Sequence, residues 1–74
     1  MQSTINWKDF NEDEEIKSGD YAVAYHRLDK PEKIDVYICS YLNGEWVYDD
    51  TLEPIEHLNK EGVVVAYGNV PVYA

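Results

Sequence analysis

The sequence predicts a mostly β fold, a small antiparallel sheet of about four strands around a central hairpin, with an α+β arrangement as the alternative. Three observations carry this expectation. Asn43-Gly44 stands between two alternating apolar runs, in KIDVYICSYLNGEWVYDD over residues 33–50. A type I′ hairpin turn needs φ > 0 at both central residues, which Gly adopts freely and Asn tolerates. Residues 20–27, DYAVAYHR, alternate with a period of two, and residues 63–67, VVVAY, form a β-branched run of strand length. Both are strand patterns, the second that of a buried strand.

The turn sets the hairpin register. With Asn43 and Gly44 as the whole loop, Leu42 lies opposite Glu45, Tyr41 opposite Trp46 and Ser40 opposite Val47. Continuing outward, Cys39 meets Tyr48 and Ile38 meets Asp49. Directly opposed side chains share a face. One face therefore collects Tyr37, Cys39, Tyr41, Trp46 and Tyr48, and the other Ile34, Val36, Ile38, Ser40 and Val47. One is aromatic and the other mainly aliphatic, and neither is a conventional wet face.

In chain order, Asn6 is placed to cap a helical turn carrying Trp7 and Phe10, and the acidic run NEDEE at 11–15 reads as a solvated loop or helix end. Ser18-Gly19-Asp20 is a turn signal. Along 20–27, Tyr21, Val23, Tyr25 and Arg27 point one way, and Ala22, Ala24 and His26 the other. A polar connection with Pro31 follows. Pairing Arg27 with Lys33 joins the tyrosines to the aromatic face and the alanines to Ile34, Val36 and Ile38. One short helix is expected near 51–61: Asp50 and Glu53 resemble a capping box, Leu52, Ile55 and Leu58 recur at three-residue steps, and Gly62 is a stop. Pro54 biases Glu53 against helical angles. Gly68-Asn69-Val70-Pro71 closes the last strand, and Val72-Tyr73 adds an extended tail.

Residues 1–74 make a single small domain whose apolar fraction, 45%, suits a folded chain. Cys39 is the only cysteine, so no internal disulfide framework exists and a reducing compartment is expected. With no charged-then-apolar leader and no long apolar run, the expected location is cytoplasmic. Fifteen acidic residues against six basic ones give a net charge of −9. That balance disfavours direct nucleic-acid binding and anionic membranes, and leaves basic partners or simple solubility.

No residues are spaced for chemistry. His26, His57 and Cys39 lack zinc-ligand spacing, and Cys39 with His57 lacks an elbow motif or an oxyanion turn. Asp49, Asp50 and Glu53 do not follow the EF-hand pattern, and the four glycines stand singly. The expectation is no enzyme, no cofactor and no metal. The leading function is a protein–protein binding module whose contact residues are Tyr37, Tyr41, Trp46 and Tyr48, rimmed by Asp49 and Asp50. Its partner is a protein, with a basic surface as the natural complement, and a homodimer is compatible with the pattern. The alternative is an acidic nucleic-acid mimic that inhibits a host DNA- or RNA-binding defence protein, motivated by the charge and by the clusters at 12–15 and at Asp49, Asp50, Glu53 and Glu56.

Four stretches form one larger pattern: Trp7, Gly19-Asp20-Tyr21-Ala22-Val23-Ala24, Tyr41-Leu42-Asn43-Gly44-Glu45-Trp46 and Ala66-Tyr67-Gly68-Asn69-Val70-Pro71. The pattern resembles small phage and prophage proteins of an uncharacterised domain family, with an early Trp, a Gly-x-Trp hairpin and a Trp-x-Pro-x-Pro ending. Tyr67 stands where that ending has Trp, and Pro71 is the one proline of its pair. The resemblance implies a phage-type origin and carries no activity with it.

Overall fold

A computed structural model describes residues 6–70. It contains five strands: β1 (Lys8–Asp9), β2 (Gly19–His26), β3 (Ile34–Leu42), β4 (Glu45–Val47) and β5 (Val64–Asn69). They form one sheet in the order β1-β5-β2-β3-β4, every neighbouring pair antiparallel. Pro71 and the 72–73 tail lie outside the described residues.

The hairpin turn forms as its chemistry requires, with Asn43 at φ 52° and Gly44 at φ 82°. Leu42 pairs Glu45, Tyr41 pairs Trp46 and Ser40 pairs Val47, and β2 joins β3 in the expected register, with Arg27 N donating to Lys33 O at 3.0 Å. The expected Cys39–Tyr48 and Ile38–Asp49 pairs are absent, because β4 stops at Val47. The chain then turns back: Leu52 N donates to Tyr48 O, Tyr48 N to Glu53 O, and Pro54 bridges Val47.

Two further expectations need correction. The sheet has five strands instead of four, since the start of the chain is not a helical turn. Lys8 and Asp9 pair with Tyr67 and Ala66 of β5, and Phe10 N donates to Val65 O at 3.0 Å. Nor is there a helix near 51–61. Leu52 sits at φ 62° and Pro54 is extended in its bridge to Val47, while Gly62 at φ 79° closes the segment. The residues between are too few to repay helix nucleation; they make overlapping turns, such as Lys60 N to His57 O and Val63 N to Lys60 O.

This irregular segment crosses from β4, at one edge of the sheet, to β5, beyond β2. It does so over the aromatic face, where Ile55, Leu58 and Val63 pack on Val23, Cys39, Trp46, Val64 and Tyr67. The β1–β2 connection adds Ile16 to the same side. Aromatic side chains bury roughly 150–250 Å² each, so the chain's limited covering material removes more area from water there than over alanines and valines. Among the described residues, the sheet thus has one covered face and one that is open from Ile34 to Ile38.

Candidate binding surface

The aromatic face is the core, centred on Trp46. Its ring lies 4.6 Å from Tyr41, 5.8 Å from Phe10, 6.2 Å from Tyr21 and 6.3 Å from Tyr67, between ring centroids. The pairs are tilted or edge-on, as ring quadrupoles favour. Trp46 is 1% exposed, and its outward-turned backbone is held by Ile55 N, which donates to Trp46 O at 2.9 Å, and by one side chain. Asn59 Oδ1 accepts from Trp46 N at 2.8 Å, and Asn59 Nδ2 donates to Trp46 O at 2.9 Å and Ile55 O at 3.1 Å. The amide acts as a further strand would, and seals part of the β4 edge.

The six residues expected to form a contact surface are therefore divided. Trp46 is a core residue and leaves the set, because a side chain without solvent exposure has nothing to offer a partner. Tyr41 packs edge-on against it and is half-buried. Tyr37 and Tyr48 remain accessible, at 40% and 38% exposure, with ring centroids 6.5 Å apart in an edge-to-face pair. Asp49 and Asp50 are exposed beside them.

Tyr37 and Tyr48 border a concavity of about 200 Å³ completed by Tyr25, Ile55, His57 and Leu58. Ligand pockets usually measure roughly 300–1,000 Å³, so this one suits a single side chain better than a free small molecule. His57 Nε2 donates to His26 O at 2.7 Å, which leaves Nδ1 without a partner among the described residues. Carboxylates flank the tyrosines. Asp35 faces Tyr25 across the β2–β3 pair, and burial, then Asp35, raise the Tyr25 phenol above its ordinary pKa. The Tyr37 phenol is raised by desolvation, then by Tyr48 and Asp49. Arg27 lies nearby, but Asp29 holds its guanidinium with bonds of 3.1 and 2.9 Å.

The opposite face, which the pairing register sorts as aliphatic, carries none of the expected contact residues. Ile34, Val36 and Ile38 stand in one row along β3, each about half exposed, at 50%, 49% and 49%. Beside them the register places Ala22 and Ala24 of β2, then Ala66 and Gly68 of β5. The alanines of β2 are closed off by their neighbours, at 0% and 9% exposure. The face is a low floor with an aliphatic ridge along one side. A sequence signal for it existed: both faces are apolar, yet no amphipathic segment remains to cover the second.

The remaining polar groups have structural roles. Cys39 is fully buried, and desolvation, then Asp49 and Asp20, push its thiol up to about 12, which keeps it protonated and unreactive. His26 Nδ1 donates to Pro31 O at 2.8 Å and steadies the β2–β3 connection. Among the described residues no three His, Cys, Asp or Glu side chains gather as metal ligands, and no helix is long and apolar enough to cross a membrane. No protein-family model, curated protein or solved structure matches the chain.

Proposed function

We propose that this chain is a non-enzymatic, cytoplasmic protein–protein binding module of phage or prophage origin. The observation that carries the binding role is the open sheet face, where Ile34, Val36 and Ile38 form a continuous half-exposed aliphatic row. Apolar side chains scattered singly over a surface need no explanation, and a contiguous exposed row on a sheet face supports an interaction site. Tyr37, Tyr48, Asp49 and Asp50 extend the surface around the β3 margin. The acidic mimic rests on charge alone: its acids fall in separate stretches of the chain, Glu12, Asp13, Glu14 and Glu15 before β2 and Asp49, Asp50, Glu53 and Glu56 after β4.

Site-specific photo-cross-linking tests it in the organism that encodes the chain. A benzophenone amino acid at position 36 is expected to give a protein adduct of defined mass, and one at the exposed turn residue Glu61 none. Absence of any adduct from position 36, with the variant folded and expressed, overturns the proposal.

A further inference from the structure

The backbone of β3 points to how a partner is held. Residues along an antiparallel pair alternate between those that exchange N–H···O bonds with the neighbour and those that do not. Arg27 N donates to Lys33 O, so Tyr25–Asp35 and Val23–Tyr37 of the same ladder fall in the bonded phase. Ile34, Val36 and Ile38 consequently turn their N–H and C=O groups away from β2, toward the side where β4 should lie. β4 covers that side only at Ser40, Tyr41 and Leu42. Among the described residues, the groups turned outward from Ile34 to Ile38 have one partner, the Asp35 carboxylate, whose Oδ1 accepts from Val36 N at 2.9 Å.

Resting on the protein-binding reading above, we propose that this open edge takes an extended, basic segment of the partner protein as an added strand. Main-chain bonds hold such a strand, and its alternating side chains meet different surfaces. On one side they fall beside Asp35 and Tyr37, among the Tyr37 and Tyr48 rings and the carboxylates of Asp35, Asp49 and Asp50. Lysine or arginine fits there, by ion pairing and by contact with the tyrosine faces. On the other side they fall beside Ile34, Val36 and Ile38, where aliphatic side chains fit. The segment is therefore alternately basic and aliphatic. An incoming carbonyl replaces Asp35 at Val36 N and releases the carboxylate to pair with a cation. Charge sets the partner apart from a second copy of this chain, whose edge would bring the same aspartates together between two molecules each at −9.

The test is an NMR titration of the ¹⁵N-labelled chain with three synthetic nonapeptides: alternating Lys and Val, alternating Glu and Val, and the Lys-Val peptide N-methylated at alternate residues. The Lys-Val peptide is expected to shift the Ile34 and Ile38 amides and slow their hydrogen exchange. The other two are expected to bind at least tenfold more weakly. Ile38→Pro removes an edge donor while leaving the β2 ladder intact; with an unchanged circular dichroism spectrum it should bind the Lys-Val peptide at least fivefold more weakly. Equal binding of the N-methylated peptide, or full affinity in Ile38→Pro, overturns strand addition. A Lys-Val peptide that leaves the edge unperturbed, while position 36 still cross-links a partner, overturns this inference alone and leaves the protein-binding reading standing. Sedimentation at twice 8.6 kDa with edge amides already protected assigns the edge to a second copy and overturns it as well.

Discussion

Replacing Asn59 with alanine isolates the side chain that completes the β4 edge. The amide makes three bonds, but their loss is unequal. Trp46 O keeps Ile55 N at 2.9 Å, and Ile55 O keeps Asn59 N at 3.2 Å. Only Trp46 N, which donates to Asn59 Oδ1 at 2.8 Å, is orphaned beside the core. Leaving one such donor unpaired costs roughly 1–3 kcal/mol; we expect Asn59→Ala to lose about 2 kcal/mol, or about 8–16 °C in Tm for a domain of this size. Urea unfolding followed by tryptophan fluorescence measures it, with Tm from circular dichroism as the independent reading. Asn59→Asp keeps the acceptor but sets a carboxylate against the Trp46 and Ile55 carbonyls. Its deficit relative to the wild type at the same pH should shrink as pH falls toward about 4, because the carbonyls raise the folded carboxyl above its unfolded value and it gains a proton to donate first. A loss under about 0.5 kcal/mol in Asn59→Ala refutes the strand-mimic role.

Trp46→Ala should cost roughly 3–5 kcal/mol, as a large core truncation does, whereas Ile38→Thr on the open face should cost less than about 1 kcal/mol; comparable losses by chemical denaturation would reverse the assignment of core and surface. Gly44→Ala should cost roughly 1–2 kcal/mol from the positive φ alone, because a Cβ there meets nothing within 4 Å; a thermal melt identical to the wild type contradicts it. Cys39 is held protonated in the fold, with its pKa raised from 9.0 to about 12. The unfolded chain therefore releases that proton first, and the stability present below pH 9 is lost as pH rises toward 12. Cys39→Ala should flatten part of that decline in denaturation curves taken across this range, and an unchanged slope speaks against burial as the cause.

The hairpin was legible because its determinants are local. Asn43-Gly44 admits the two positive φ angles, and period-two alternation then assigns every side chain of β2 and β3 to a face. The expected helix failed where local signals conflicted. The three-residue spacing of Leu52, Ile55 and Leu58 marks burial, but Pro54 is recruited as a bridge to Val47 and fixes extended angles. β1 escaped notice because two residues carry no periodicity, and only β5 makes them a strand. The candidate surface was half legible: Tyr37, Tyr48, Asp49 and Asp50 reach solvent, while Trp46 does not.

Which side chains travel together follows from Asn43-Gly44 and the alternation around it, because a two-residue turn and the pleat leave no freedom in the matter. That pattern left undecided which set turns inward, since both faces of the hairpin are apolar and a strand pattern is symmetric under exchange of its sides. Only the tertiary structure made that choice. The crossover from β4 to β5 lays Ile55, Leu58 and Val63 over the aromatic side, and among the described residues no comparable segment covers Ile34, Val36 and Ile38. The same departure of the chain after Val47 leaves the outer edge of β3 from Ile34 to Ile38 without a neighbour among the described residues.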